Sequence, residues 1–325
     1  YNIARRIEAE EITLGNAALV IASTNQEVRQ QYRQYENYHP KRNVVIPPGV
    51  DIERFRPPRR GDERPDIGDE IRRFLREPGK PMILALSRPD ERKNITTLVH
   101  AFGGNQKLRE AANLVIIAGN RDDITELDRG AQAVLTEILF LIDKYDLYGS
   151  VAIPKHHRST DVPDLYRMAA RSKGVFRNPA LTEPFGLTLI EAAASGLPIV
   201  STNDGGPKDI IAHCQNGVLI NPHKAKAMSN ALLKAITQRE QRKTWSRNGI
   251  RGAKQHYTWK GHVNSYLKQI RKIKGTQKQS GISKMSKTRL ISVDRFLVCD
   301  IDNTLLGNKA AIRRLLALIL SLIHI

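Results

Sequence analysis

Short apolar runs alternate with longer amphipathic segments along the chain from Pro81 onward. Six apolar runs have the length of buried strands: Met82–Leu86, Leu114–Ala118, Val151–Ile153, Val175–Phe176, Ile199–Val200 and Val218–Ile220. The helical segments between them include Val134–Tyr145, Pro163–Arg171, Leu187–Ala194 and Lys224–Thr237. Continuous apolar strands that alternate with helices are typical of a parallel sheet covered on both faces. The predicted fold class is therefore α/β with a doubly wound parallel sheet, whose ligands bind beyond the carboxyl ends of the strands.

The residues on either side of this repeat have less regular patterns. Before it, the sequence predicts a helix over Ile3–Leu14, a strand within 16–24 and a helix over Gln26–Tyr35 that Thr24 caps. A strand within 44–51 follows, and Pro47, Pro48 and Gly49 end it. After it, we expect a closing helix over Gln255–Ile273 whose candidate buried positions are Trp259, Val263, Leu267 and Ile270. Residues 274–290 are rich in Lys, Ser, Gly and Gln and predict a linker.

The charge of the chain favours anionic partners but not nucleic acid. Its 325 residues include 52 Lys and Arg against 33 Asp and Glu, which gives a net charge of +19. Much of this positive charge comes from the Lys and Arg residues between Lys268 and Arg289, a stretch that contains no acidic residue and lies mostly in the predicted linker. Aromatic residues make up only 6% of the chain and do not interleave with basic ones, as a platform for single strands requires. We therefore expect no nucleic acid as a partner, whereas the charge is compatible with phosphorylated metabolites or a membrane surface.

Cysteine content and hydropathy predict a cytoplasmic protein. Cys214 and Cys299 lie far apart and lack metal-ligand spacing, so we expect no disulfide framework. We expect the protein in a reducing compartment. The first residues, Tyr1–Arg6, lack an initiator Met and the apolar core of a signal peptide. The apolar run Leu315–Ile325 is too short to span a bilayer, so no membrane partner is predicted.

Charged side chains follow several predicted strands directly. Arg88 and Lys93 lie in the loop after the first strand of the repeat, and EPFGLTLIEA (Glu183–Ala192) begins shortly after the fourth. Because the carboxyl ends of parallel strands meet at one edge of a sheet, we expect these side chains to converge. Arg88 and Lys93 would neutralise the charge that grows on a diphosphate as a sugar leaves it. His156 and His157 follow the third strand, and we expect them to line the same cleft rather than to bind a metal.

The start of the predicted Leu187 helix has the features of a phosphate site between two carboxylates. Gly186 lets the backbone approach a ligand without a Cβ in the way. Free amide N–H groups near Gly186, Leu187 and Thr188 attract an anion to the helix N-terminus. Glu183 lies before the helix and Glu191 about one turn inside it. Acceptors on both sides of a phosphate suit a nucleotide-sugar, which has hydroxyls at both ends of its diphosphate.

The same stretch carries a family resemblance. EPFGLTLIEAAASGLPIV is similar to the E-x7-E signature of retaining GT-B glycosyltransferases that use nucleotide-sugars. Further blocks resemble sucrose-phosphate synthases, namely RRIEAEE, VVIPPGVD, LSRPDERKNITTLVHAF, GNRDDI, LIDKYDLYGSVAIPKHHRSTDVPDLYRMAA and GVFRNPALTEPFGLTLIEAAASGLPIVSTNDGGPKDI. The resemblance extends over about residues 1 to 270. It implies a Rossmann-like fold that forms the C-terminal half of a GT-B glycosyltransferase.

The resemblance also implies a reaction and a set of site residues. The reaction is transfer of glucose, with retention, from UDP-glucose to fructose 6-phosphate, which gives sucrose 6-phosphate and UDP in sucrose biosynthesis. It implies no cofactor and no metal for the transfer, and sucrose-phosphate phosphatase as a protein partner. Arg5 and Arg6 fall where the family has basic residues that face the acceptor phosphate. The implied roles are diphosphate binding and catalysis for Arg88 and Lys93, positioning of the donor hexose for Glu183, ribose binding for Glu191, and backbone contacts to phosphate and sugar for Phe185, Gly186, Leu187 and Thr188.

A division into four parts follows from the resemblance. Residues 1–46 would be a remnant of the N-terminal acceptor-side domain, 47–273 the C-terminal nucleotide-sugar-binding domain with its closing helix, 274–290 a basic linker, and 291–325 the truncated start of a haloacid-dehalogenase-like phosphatase domain. FLVCDIDNTLLGN resembles the first motif of those phosphatases, with Asp300 as nucleophile, Asp302 as general acid/base and Mg²⁺ between them. Both ends look cut. We therefore expect a fragment that binds the donor, is inactive alone and has no phosphatase activity.

Other functions stay open at this point. One alternative is a sucrose synthase or another GT-B glycosyltransferase. The identity of the acceptor that the enzyme uses would distinguish these from a sucrose-phosphate synthase. Another alternative is a non-catalytic module that binds UDP-sugars. An assay of UDP release with fructose 6-phosphate would distinguish such a module from an enzyme. Phosphate release from sucrose 6-phosphate in the presence of Mg²⁺ would support a phosphatase function for the tail.

Overall fold

The six predicted apolar runs form one parallel sheet. The computed structural model describes residues 3–279, with side chains up to residue 273. The strands in this range are β1 (Val20–Ala22), β2 (Asn43–Val45), β3 (Met82–Leu86), β4 (Asn113–Ile117), β5 (Val151–Ala152), β6 (Val175–Arg177), β7 (Ile199–Thr202) and β8 (Gly217–Ile220). Strands β3 to β8 lie in the order β5-β4-β3-β6-β7-β8, with every neighbouring pair parallel, and β1 pairs with β2 separately. The doubly wound α/β class is thus confirmed.

Helices connect the strands and cover both faces of this sheet. The helices of the described range are α1 (Ile3–Asn16), α2 (Asp66–Arg72), α3 (Ile95–Gly103), α4 (Gln106–Ala111), α5 (Arg129–Lys144), α6 (Val162–Arg171), α7 (Leu187–Ala194), α8 (Pro207–Cys214), α9 (Ala225–Thr237), α10 (Arg239–His256) and α11 (Trp259–Gln279). The chain moves outward from β3 to β5 and then returns to place β6 beside β3. Such a reversal of strand order opens a crevice between the loops that leave the two central strands.

Alternate residues of each strand contribute to opposite core layers. Ile83 lies in register with Leu114 and Val175, and all three are buried in the layer formed with α3, α5 and α9. The next residue, Leu84, pairs with Phe176 in the layer formed with α6 and α7. This two-sided burial explains why the strands are continuous apolar runs without polar alternation.

The break at Pro47, Pro48 and Gly49 brings the first part of the chain against the end of α10. Val50 N donates to Tyr257 O at 2.8 Å, and Val50 forms an isolated parallel pair with Thr258. A Cβ on Gly49 would lie 2.2 Å from Trp259 N. Only glycine allows this approach, which fixes where the preceding segment meets the sheet domain.

The predicted helix over Gln26–Tyr35 is irregular. Thr24 Oγ1 accepts a hydrogen bond from Glu27 N at 3.1 Å, so the predicted cap is confirmed. A π-helical turn over Glu27–Gln31 follows, and then a short 3-10 turn over Tyr32–Gln34. The prediction of one α-helix here was wrong, because the side chains at the start of this segment bond to the sheet domain instead of continuing a helical surface.

The closing helix differs from the prediction in its bounds and in its burial. It begins at Trp259, extends to Gln279 through the first six residues of the predicted linker, and is separate from α10. The predicted buried positions are exposed: Trp259 by 52%, Val263 by 49%, Leu267 by 42% and Ile270 by 36%. These apolar side chains recur on one helix face, but in the described part of the chain that face is not buried against the core.

Contacts within the chain define two units, Tyr1–Thr276 and Gln277–Ile325. The boundary predicted between residues 46 and 47 falls inside the first unit, and the four-part division of the chain stays a prediction. Asp300 and Asp302, the residues predicted for a phosphatase-like centre, lie outside the described residues.

Candidate functional site

A cavity of about 700 Å³ lies at the carboxyl ends of the central strands. It occupies the crevice between the loop after β3 and the loop after β6. Its lining residues are Ser23, Pro48, Leu86, Ser87, Arg88, Lys93, Ile117, Gly119, His157, Asn178, Glu183, Pro184, Phe185, Gly186, Leu187 and Thr188. Seven of the eight residues predicted for the transfer site therefore lie around one cavity, and Glu191 is the exception.

The predicted helix start forms one wall of this cavity. Gly186 has a φ of +103°, and α7 begins at the following residue. L side chains rarely adopt this φ, so this backbone position requires glycine, and a Cβ there would also lie 2.7 Å from Leu189 Cδ1. Leu189 N makes the first helical bond, to Gly186 O at 3.0 Å. The amides of Leu187 and Thr188 precede that bond and are available to an anion at the positive end of the helix.

Lys93 and Glu183 form an ion pair inside the cavity. Lys93 Nζ lies 2.8 Å from Glu183 Oε2, with the side chains only 26% and 12% exposed. The same Oε2 accepts from Asn178 Nδ2 at 2.9 Å. Glu183 is thereby fixed in one orientation, and Lys93 brings its charge to the residues just before α7.

The turn that carries Lys93 is built to reach this position. Asp90 caps a short 3-10 turn over Glu91–Lys93 by accepting from Arg92 N at 2.9 Å. Arg92 O accepts from Leu181 N at 2.9 Å, which ties the turn to the loop after β6. Asn94 follows with a φ of +53°, and its side chain donates to Pro179 O and Pro222 O. Arg88 lies at the other end of this loop, exposed, and lines the same cavity.

Glu191 points away from the cavity, into the layer between α6 and α7. Its Oε2 accepts from the hydroxyl of Tyr166 at 2.9 Å, and this hydroxyl also contacts Thr188 O at 3.2 Å. Burial raises the pKa of Glu191 to about 7, against the opposing effects of the Tyr166 hydrogen bond and of Arg54. The carboxyl is therefore close to half ionised near neutral pH, a property that the sequence pattern did not reveal.

The two histidines of the loop after β5 differ in position. His157 lines the cavity as predicted, and burial lowers its pKa. His156 is exposed and lies 3.2 Å from the carboxylate of Asp122 at the surface. Arg6, predicted with Arg5 to face an acceptor phosphate, is exposed and pairs with Glu10 on its own helix at 3.1 Å.

Three polar residues in or beside the site were given no role in the sequence prediction. Asn178 directly follows β6. Residues that follow parallel strands meet at one edge of the sheet, and this rule, which located Arg88 after β3, also locates Asn178. Tyr166 lies on α6 and Ser23 beyond β1, and neither position carries a sequence signal for contact with the site.

Among the helices of the described range, none is both long and apolar enough to cross a membrane.

The sequence matches a known family. The model for group 1 glycosyl transferases matches residues 67–252. Probable sucrose-phosphate synthase 1 of Oryza sativa subsp. indica is 49% identical over 305 residues, which cover 83% of this chain and 28% of the rice protein. Sucrose-phosphate synthase of Zea mays is 48% identical over 309 residues, which cover 83% of this chain and 29% of the maize protein. This chain thus spans less than a third of the length of these relatives.

Solved structures share the fold. Sucrose-phosphate synthase from Thermosynechococcus elongatus superposes with a TM-score of 0.67 at 24% identity, over 84% of this chain and 62% of that one. Anabaena Alr3699/HepE in complex with UDP-glucose superposes with a TM-score of 0.64 at 19% identity, over 85% of this chain and 68% of that one. The sheet domain is therefore the C-terminal half of a GT-B-like fold. The chain belongs to the group 1 glycosyl transferases and is a homologue of the sucrose-phosphate synthases.

Proposed function

We propose that this chain carries the donor site of an enzyme that transfers glucose, with retention, from UDP-glucose to fructose 6-phosphate. The products are sucrose 6-phosphate and UDP. The observation that supports this proposal most is the cavity in which Lys93, Glu183 and the amide start of α7 lie together. The identity with sucrose-phosphate synthases supports the acceptor, and the UDP-glucose complex of a protein with the same fold supports the donor.

The diphosphate of the donor would rest on the amides of Leu187 and Thr188. The helix dipole and the backbone of Phe185 and Gly186 favour a negative charge there. Arg88 enters from the loop after β3 and adds a positive side chain that is exposed at the cavity. The phosphate chain would thus be held by the helix N-terminus on one side and by a cationic side chain on the other.

Lys93 and Glu183 divide the contacts to the reacting end of the donor. Glu183 is held by Lys93 and Asn178 through one oxygen, so its other oxygen can accept from hydroxyls of the hexose. The bond between C1 of glucose and the β-phosphate oxygen breaks, and the acceptor hydroxyl bonds to C1 on the same face. Its proton passes to the released phosphate oxygen. Lys93 and Arg88 stabilise the negative charge that grows on that phosphate.

This arrangement makes a metal unnecessary for the transfer in our proposal. Two cationic side chains and a helix N-terminus supply the positive charge that a metal ion would otherwise bring to a diphosphate. Mg²⁺ belongs in the proposal only to a complete phosphatase-like domain, through Asp300 and Asp302. Association with sucrose-phosphate phosphatase is part of the proposal only as an implication of the family resemblance.

Glu191 takes a modified role in the proposal. We keep it as the acceptor for the ribose, but binding then requires its carboxyl to turn from Tyr166 toward the cavity. Tyr166 would hold the carboxyl ready one turn below the phosphate site. Loss of Glu191 should therefore weaken UDP itself, whereas loss of Glu183 should weaken mainly the glucosylated ligand.

Calorimetric titration of the 325-residue chain with UDP and UDP-glucose tests the proposal. We expect both ligands to bind, and Lys93→Met to weaken each by about 100-fold, since a buried charge-assisted contact is lost. Lys107→Met, at an exposed lysine of α4, is the matched control and should leave both affinities unchanged. A folded chain that releases no heat with either ligand would refute the donor site.

Turnover is a separate question from donor binding. This chain spans less than a third of its relatives, and we expect it to bind the donor without producing UDP from UDP-glucose and fructose 6-phosphate. UDP production by this chain at the rate of a complete relative would overturn that expectation, while leaving the donor site in place. Supply of the remaining part of a relative in trans is the corresponding positive test.

A further inference from the structure

Gln26 joins the first part of the chain to a loop beside the cavity. Its side-chain Nε2 donates to Asp204 Oδ1 at 2.6 Å. Its Oε1 accepts from Gly205 N at 2.9 Å and from Lys208 Nζ at 3.1 Å. Both ends of one amide are therefore bound by a loop and the first turn of α8, about 180 residues later in the sequence.

The neighbours of Gln26 hold the same segment in place. Asn25 N donates to Asp209 Oδ2 at 2.8 Å, and Asn25 Nδ2 lies 3.2 Å from the other oxygen of that carboxylate. Thr24 is buried, and Ser23 lines the cavity. Ser23 thus lines the cavity, and the residues that follow it through Gln26 are held by hydrogen bonds to the loop after β7 and to α8.

The loop that Gln26 binds also holds the backbone of Glu183. Glu183 N donates to Asp204 O at 3.2 Å, and Gly206 N donates to Glu183 O at 2.9 Å. The Asp204 carboxylate accepts from Thr182 Oγ1 at 2.6 Å, one residue before Glu183. A Cβ on Gly205 would lie 1.9 Å from Glu183 O, so the loop and the Glu183 backbone are in direct contact.

We propose that Gln26 and Asp204 are positioning residues for the donor sugar, and that they act through Glu183. Asp204 accepts from Gln26 with one oxygen and from Thr182 with the other, so its carboxylate links Gln26 to the residue before Glu183. Lys93 and Asn178 separately fix the side chain of Glu183. The hexose-binding carboxylate is therefore set by two groups of contacts, and one of them depends on Gln26. This inference rests on the proposed function of Glu183.

Replacement of Gln26 by a side chain of similar shape without polar atoms tests the inference. In Gln26→Met, the affinity for UDP-glucose should fall about tenfold, because the three side-chain hydrogen bonds of Gln26 that hold the loop against Glu183 are lost. The affinity for UDP, which lacks the hexose, should change by less than about twofold. Gln31→Met, at an exposed glutamine of the same segment, is the matched control and should change neither affinity.

A double-mutant cycle distinguishes positioning from a merely structural contact. If Gln26 acts through Glu183, then Gln26→Met should weaken UDP-glucose no further once Glu183→Gln is present. Additive losses in the cycle would overturn the inference, and so would equal weakening of UDP and UDP-glucose. Should Gln26→Met fail to fold by circular dichroism, Asp204→Asn answers the same question, because it weakens the bond from Gln26 while it keeps the shape of the side chain.

The two levels of the proposal fail in different ways. An unaltered chain that binds neither UDP nor UDP-glucose contradicts the donor site and, with it, the role of Gln26. A chain that binds both ligands, but whose Gln26→Met variant shows no difference between them, contradicts only the positioning role.

Discussion

Replacement of Arg177 by methionine should stabilise this protein. Arg177 ends β6 and is fully buried, without exposure to solvent. Its Nη1 donates to Asn178 O and, at 2.9 Å, to Val200 O, whereas Nε and Nη2 have no hydrogen-bond partner among the described residues. Both acceptors are neutral carbonyls, so two nitrogens of a buried guanidinium, with three N–H groups between them, stay unsatisfied in the core.

The structure sets the magnitude of this effect. Burial lowers the pKa of Arg177 from 12.5 to about 9. At about 1.4 kcal/mol per pKa unit, this difference sets an upper bound of about 5 kcal/mol on the cost of the buried charge. Loss of the two bonds to carbonyls offsets part of the gain. Val200 O still accepts from Asn178 N at 3.2 Å, so it keeps a partner. We expect a net stabilisation of about 1–4 kcal/mol, the range for apolar replacement of buried ions.

Urea denaturation of Arg177→Met and of the unaltered chain measures this difference. Arg60→Met, at an exposed arginine, is the control and should change the free energy of unfolding by less than about 0.5 kcal/mol. The folded-state pKa lies below the unfolded value, so the cost is complete below about pH 9 and declines above it as the folded group loses its proton. The gain should therefore be constant around neutral pH. An Arg177→Met variant that is less stable than the unaltered chain would refute the reasoning and indicate that Arg177 has a partner group.

Three further predictions concern the site. The folded-state pKa of Glu191, about 7, lies above its unfolded value, so its contribution to stability is complete below about pH 4.5 and is lost as the pH rises through 7. The stability of Glu191→Gln, measured by urea titration, should therefore increase relative to that of the unaltered chain between about pH 5 and about pH 8. This gain should be at most about 3 kcal/mol. Glu183→Ala should weaken UDP-glucose and spare UDP, whereas Glu191→Ala should weaken both, as calorimetry would show; equal losses in the two variants would contradict this division. Gly186→Ala should destabilise the fold by about 1–3 kcal/mol and weaken UDP, because an L-residue is strained at this φ and meets Leu189.

The sequence predicted the sheet and its site because those signals are local. Met82–Leu86 and Leu187–Ala194 have the predicted bounds in the structure. A continuous apolar run specifies a doubly buried strand, and the proline and glycine before Leu187 specify where the helix begins. Parallel strands then bring Arg88, Lys93 and Glu183 to one edge without further information.

The sequence did not predict contacts that depend on how distant segments meet. Lys93 and Glu183 were both assigned to the site, but their mutual ion pair follows from the crossing of two loops 90 positions apart. Glu191 has the spacing of a ligand-binding residue, yet its orientation depends on a tyrosine from another helix. The apolar stripe that begins at Trp259 predicted a buried face, and no local pattern reveals whether a face is covered.

In the proposed site, the start of α7 holds the diphosphate of a nucleotide-sugar. A crystal structure of this chain with UDP-glucose would test this contact. We expect diphosphate oxygens within about 3 Å of the amide nitrogens of Leu187 and Thr188, with Lys93 Nζ in contact with the β-phosphate and Glu183 with the hexose. A diphosphate bound elsewhere on the chain, with these amides left to solvent, would contradict it.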